Sequence, residues 1–196
     1  NSLTMKNIAI IDIESQGAST SYSSIISIAG ILVNPDLKEI ERFELNCRNK
    51  AGHVPDPYSL WVNKGFYQMK KSNSSHYQLM KELHKIIKKW SPCIWIGWNS
   101  IGFDFIMLQK ENYKSLFPAY VLNTNSNEQA DFLPVARSSK LFFPKSINTT
   151  FSEKKNPVFQ LEGLSTINDI KVDQFHTAIS DCEACLGIMR LIRKNA

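Results

Sequence analysis

The chain predicts an α/β fold, a sheet covered by helices, on three observations. Apolar runs rich in isoleucine occur at 8–13 (IAIIDI) and 25–33 (IISIAGILV), and such short β-branched runs read as buried strands. The stretch 76–90 instead carries apolar residues at helical spacing. CIWIGW at 93–98 then returns to strand character, so strand and helix alternate as an α/β sheet requires.

Each element follows from its own pattern. EIERFELNC at 39–47 sets Ile40, Phe43 and Leu45 against charged neighbours, which predicts a third strand and a meander of the first three. Pro55 and Pro57 mark a loop. Over 76–90, Leu79, Leu83, Ile86, Ile87 and Trp90 form the buried stripe, and Lys81, Lys85, Lys88 and Lys89 lie largely away from it. IGFDFIMLQKEN at 101–112 predicts a helix starting near Ser100, a fitting N-cap. Asp131 can cap a further helix carrying Leu133, Val135 and Ala136, which Pro134 restricts to starting close by. The polar, basic segment 144–158, with proline near both ends, predicts a mobile loop. A last helix is expected from Ala178 to Arg193. Asp181 shares a face there with Cys185, Ile188, Met189 and Ile192, so its carboxylate points inward and needs a partner such as a cation.

At 196 residues, with 43% hydrophobic and 21% charged, the chain suits one domain with a real core rather than two, and its composition is not that of a disordered segment. Asn1 to Thr4 precede Met5 and are read as an added leader, so the expected domain is 5–196. No apolar stretch is long enough to cross a bilayer and no secretory pattern is seen, which predicts a soluble intracellular protein with no membrane partner. Compartment and protein partners are left open. Cys47, Cys93, Cys182 and Cys185 sit among apolar neighbours; the CxxC of the last two lacks the second pair of a zinc set, so all four are read as reduced core thiols. The formal net charge is +5, and Lys64, Lys70, Lys71, Lys81, Lys85, Lys88 and Lys89 crowd one region. Such a cluster attracts a polyanion, although lysines on an outer helix face are more often a plain solvated surface.

The chemistry rests on four carboxylates and one histidine. Asp12 and Glu14, two apart in a strand, project from one face at its C-terminal end, where like charges repel unless a cation lies between them. That spacing alone says little, since Glu39/Glu41 and Asp181/Glu183 share it. Context decides: Asp12 ends an apolar strand, Asp104 lies between Phe103 and Phe105, and Asp181 faces the core. Four acids can hold two divalent cations, and hard oxygen donors favour Mg²⁺ or Mn²⁺ over zinc. His176, five residues before Asp181, is placed to take a proton from an attacking water. The set is that of a phosphodiesterase, so a nuclease is expected. Phe103 is nominated as a stacking contact for a single strand; His53, His76 and His84 are read as having no chemistry.

IDIES, GFD and FHTAISD, in that order, resemble the three motifs of the DEDD exonuclease superfamily in its histidine variant, DEDDh, whose third motif reads HxAxxD. The resemblance runs from about Ile8 to Ile192 and takes in DFLPVAR and LEGLSTINDI; FQLEGL and the motif distances are most similar to the nuclease domain of the exonuclease I family. It implies a ribonuclease H-like fold, a mixed five-stranded sheet flanked by helices. It also implies 3′–5′ removal of nucleoside 5′-monophosphates from single-stranded nucleic acid, DNA favoured. Asp12 would be shared by two metal ions, Glu14, Asp104 and Asp181 would complete their ligands, and His176 would be the general base. Ser15, Gln16 and Asn99 would touch the 3′-terminal nucleotide. Ser15 stands where the family often has threonine, Asp169 where it has glycine and Cys182 where it has alanine; none removes a ligand. Exonuclease I continues into further DNA-binding domains beyond the stretch seen here. The alternatives are an oligoribonuclease type, which shares an NSIG-like lead into the second motif, and a binding module that keeps the fold without the chemistry. The filled catalytic positions argue against the second.

Overall fold

The structure, a computed structural model, describes residues 5–62, 69–173 and 176–196. Five strands form one sheet: β1 (Asn7–Ser15), β2 (Ile25–Val33), β3 (Glu39–Asn46), β4 (Cys93–Gly97) and β5 (Glu128–Asp131), in the order β3-β2-β1-β4-β5. The first three are the expected antiparallel meander, while β4 and β5 run parallel to β1, so the sheet is mixed. Every residue of the Ile-rich β2 is buried.

Alternation along β1 divides the interior in two. Ile11 and Ile13 face a core with α2 (His76–Trp90) and α3 (Asp104–Lys114), built with Leu79, Leu83, Trp95 and Phe105. Ile10 faces the other way, toward α4 (Phe132–Phe142), α5 (Leu161–Ile167) and the long α6 (Ala178–Asn195), whose Cys182, Cys185 and Ile188 are wholly or almost wholly buried. The short α1 (Pro57–Val62), numbered ahead of these in the chain, follows β3. Because side chains alternate with period 2, Asp12 and Glu14 share the face of Ile10 and meet α6.

α2 spans the expected residues because Ser75 and Gln78 close a capping box at its start. α3 begins at Asp104 rather than near Ser100. The carboxylate of Asp131 accepts from the N–H of Asn99 (2.9 Å) and of Ile101 (3.3 Å), and Asn99 takes a left-handed φ of 58°, so the chain turns before it can coil. The segment expected to be a mobile loop holds a small hairpin, β6 (Thr150–Phe151) with β7 (Pro157–Val158), closed by the N–H of Ser152 on the carbonyl of Asn156. All four cysteines are free and buried, and burial pushes the Cys47 and Cys93 thiols up to about 12. No helix is long and apolar enough to cross a membrane among the described residues.

Candidate active site

The C-terminal end of β1 delivers Asp12 and Glu14, and the ladder with β2 slips in register between Glu14 and Ser15. α6 delivers Asp181 in its first turn, fixed by Thr177, which accepts from the N–H of Ser180. Carboxylate oxygens of Asp12, Glu14 and Asp181 lie within 4.8 Å of one another. Asp104, in the first turn of α3 and 7% exposed, lies outside that trio but near enough for its charge to act on Asp12; its carboxylate accepts from its own N–H and that of Ile13.

Crowding these acids away from water shifts their titration. Burial, then the charges of Asp104, Asp181 and Glu14, hold Asp12 well above the usual carboxylate range. Burial pushes Asp104 up to about 7, opposed by its two backbone hydrogen bonds, and Asp131 adds to the rise. Asp181 is pushed up to about 6 by burial, eased by the imidazole and N–H of His176 and worsened by Glu162. Oxygen-only donors converging under mutual repulsion fit a hard divalent cation, whose charge would relieve all three.

Two clefts open on the acids. One, about 370 Å³, is lined by Trp98, Asn99, Phe159, Glu162, His176 and Asp181, among others. His176 adopts a φ of 63°, and its Nε2 stands 3.5 Å from Oε2 of Glu162 with the side chain half exposed. The other, about 170 Å³, is lined by Glu14, Ser15, Gly17, Tyr58 and Ser59, among others. Asp181 therefore looks into one cleft and Glu14 into the other.

Of the expected substrate contacts, Ser15 lines the second cleft, its Oγ donating to the carbonyl of Gly17 (2.8 Å), and Asn99 lines the first. Gln16 lines neither. It is 3% exposed, and its Nε2 donates to Oδ1 of Asn49 (2.5 Å), so it ties the end of β1 to the loop after β3. Phe103 also lines neither: it is half-buried and packs against the core shared with α2. The core took this aromatic because a phenyl ring beside an apolar layer gains more by burial than by exposure.

Sequence reasoning missed Tyr58 and Trp61. They are 71% and 77% exposed, stand three apart on α1 and have ring centroids 6.2 Å apart. α1 is held against the site by the N–H of Asp56 on the carbonyl of Gln16 (2.8 Å) and is started by the Asp56 carboxylate, which accepts from the N–H and Oγ of Ser59. A tyrosine and a tryptophan three apart after Pro57 were the available signal. Glu162 and Phe159 were visible only as part of FQLEGL; Trp98 Nε1 donates to the Phe159 carbonyl (3.2 Å) and so ties that segment to β4.

Residues 9–189 match the family model described as Exonuclease (RNase_T). The chain is 27% identical over 191 residues to exodeoxyribonuclease I of Buchnera aphidicola subsp. Schizaphis graminum, covering 96% of this chain and 39% of that protein. It is 24% identical over 188 residues to the exodeoxyribonuclease I of Haemophilus influenzae, covering 94% and 40%. Among solved structures, E. coli exonuclease I in complex with a dA16 oligonucleotide superposes with a TM-score of 0.89 at 19% identity, over 97% of this chain and 41% of that one. Exonuclease I from Methylocaldum szegediense gives 0.87 at 21%, over 96% and 40%. The chain thus spans about two fifths of the length of these relatives.

Proposed function

We propose, since this chain belongs to the RNase_T exonuclease family, that it hydrolyses single-stranded DNA from the 3′ end, releasing nucleoside 5′-monophosphates. The observation that carries this is the meeting of Asp12, Glu14 and Asp181 within 4.8 Å where two clefts adjoin. A phosphodiester placed over that point has one flanking nucleotide in each cleft. The preference for DNA is supported by the relatives, which are exodeoxyribonucleases.

Asp12, Glu14, Asp104 and Asp181 would hold two Mg²⁺ or Mn²⁺ ions. When bound, such ions lower the pKa of water and stabilise charge on the phosphoryl and leaving oxygens. His176 takes the proton of the attacking water, and the Glu162 carboxylate, 3.5 Å from Nε2, steadies the imidazole over the cleft. Asn99 and Ser15, one in each cleft, border the two nucleotides that flank that phosphodiester. Tyr58 and Trp61 offer exposed ring faces on which bases stack, a sequence-tolerant contact worth about 1–3 kcal/mol per base.

The test is digestion of 5′-labelled single-stranded DNA and RNA of equal sequence with Mg²⁺, Mn²⁺ or EDTA. A metal-dependent ladder shortening from the 3′ end, faster on DNA and absent in Asp12→Ala, is expected. Binding without shortening would refute the hydrolytic reading, and activity confined to very short RNA would replace it with the oligoribonuclease type.

A further inference from the structure

A third cleft, about 440 Å³, is lined by Arg48, Asn49, Lys50, His76, Tyr77 and Lys114, among others. Its charge is one-sided. Arg48, Lys50 and Lys114 are exposed at its walls, and among the described residues no carboxylate lines it; the acid beneath it, Glu111, is 1% exposed and already paired with Nε2 of His76 (2.5 Å) and with Lys114 (3.0 Å). The buried Glu111 fixes His76 and Lys114 in place and offsets part of the Lys114 charge, so the positive field of the cleft rests chiefly on Arg48 and Lys50.

An aromatic platform stands beside these cations. Tyr77 is 55% exposed and stacks on Phe117 (centroids 5.9 Å, planes 15° apart), which stacks in turn on His84 (4.8 Å, 17°). A ring so backed is held open to a further flat partner.

The cleft is joined to the catalytic end. β3 ends with Asn46 opposite Ser27, at the same end of the sheet where Ser15 faces Ile25. Asn49 then accepts from Gln16, the residue after Ser15 (2.5 Å). Arg48 and Asn49 also line the intervening pocket, about 560 Å³, with Leu60 of the aromatic helix α1 and Lys70. Arg48 and Lys70 therefore carry positive charge along a mostly apolar pocket, with Pro55, Pro57, Leu60 and Met69, that lies between α1 and the cleft of Tyr77.

We propose that this cleft binds the upstream part of the single-stranded substrate, phosphates on Arg48, Lys50 and Lys114 and a base on Tyr77. The proposal rests on the exonuclease reading for its direction, but not for its binding chemistry. Phosphate contacts make affinity fall with salt, by roughly 0.7 in the log–log slope for each single-strand phosphate engaged. A stacking contact adds affinity without adding to that slope.

The experiment measures binding of fluorescent oligothymidylates of 4 and 16 nucleotides in EDTA across a KCl series, together with their hydrolysis in Mg²⁺. Wild type is compared with Lys50→Glu, Arg48→Glu, the conservative Arg48→Lys, and Tyr77→Ala. For the charge reversals the 16-mer should lose about tenfold or more in affinity with a shallower salt slope. Tyr77→Ala should weaken it at unchanged slope, Arg48→Lys should restore most of the loss, and the 4-mer should be affected far less. Equal losses on both lengths, or an unchanged 16-mer Kd and slope, would overturn the proposal. A wild type that binds the 16-mer with the expected slopes but never shortens it would leave the cleft standing and sink the exonuclease reading; one that binds neither length would overturn the cleft.

Discussion

Asp12 carries the conflict at the centre of the site: it is crowded by three other carboxylates and held well above the ordinary acid range by burial first and their charges second. Removing its charge should have opposite effects on chemistry and on stability. Asp12→Asn is expected to lose more than about 100-fold in kcat/KM, beyond the 10–100-fold typical of groups that only support a ligand. Without metal its melting temperature should rise, by about 2–4 °C for each kcal/mol of repulsion removed; thermal melts in EDTA decide it, and a drop would show that Asp12 is structurally satisfied. The same crowding sets a pH dependence. Asp104 rises from 3.8 to about 7 and Asp181 from 3.8 to about 6 on folding. The folded state then binds protons more tightly than the unfolded chain, so this contribution is fully present below about pH 4 and is lost as pH climbs through 6 to 7. In EDTA, melting temperature should fall between pH 5 and pH 8, less so in Asp104→Asn, and Mg²⁺ should restore it most at the higher pH.

At the scale of the element, the positions that serve the site are those where backbone comes close. Gly97 ends β4, and a Cβ there would lie 2.7 Å from the Ile11 carbonyl and 2.8 Å from Cβ of Ser100. Neither neighbour can yield without moving β1 or the turn that leads to Asp104. Gly97→Ala should cost about 1–3 kcal/mol, the usual range for overpacking, and lower activity by displacing Asp104; urea melts alongside kinetics check both. Most elements were legible in sequence because local pattern sufficed: the apolar period and capping box bound α2, and the isoleucine runs bound β1 and β2. The start of α3 was misplaced because Asp131, about thirty residues away, takes the N–H groups of Asn99 and Ile101. No local propensity reports such a bond.

At the scale of the whole molecule, the clefts draw on segments far apart: Glu14 and Ser15 with Tyr58 and Ser59 in one, Asn99 with Glu162 and His176 in the other. The exposed rings of α1, Tyr58 in the first cleft and Trp61 next to it, give a prediction. Replacing Tyr58 and Trp61 together by alanine should raise KM for single-stranded DNA by roughly 10-fold or more, as stacking energies require, and lower kcat far less. Steady-state kinetics beside a nucleotide p-nitrophenyl ester, too small to need an extended stacking surface, separate the two effects; an unchanged KM would remove the rings from the binding surface.

Which residues are proposed to do the chemistry was legible in the sequence alone, since Asp12, Glu14, Asp104, His176 and Asp181 are acids and a histidine set in apolar or motif-bearing surroundings. The strand and helix periods also determined which way Asp12, Glu14 and Asp181 point. The tertiary structure decided the neighbours. It turned Gln16 inward to Asn49, packed Phe103 on the core, and set the exposed Tyr58 in the cleft of Glu14 with Trp61 next to it on α1. The physical reason is that periodicity acts along the chain, whereas burial and hydrogen bonding are settled between segments that meet only when the sheet and its helices have closed.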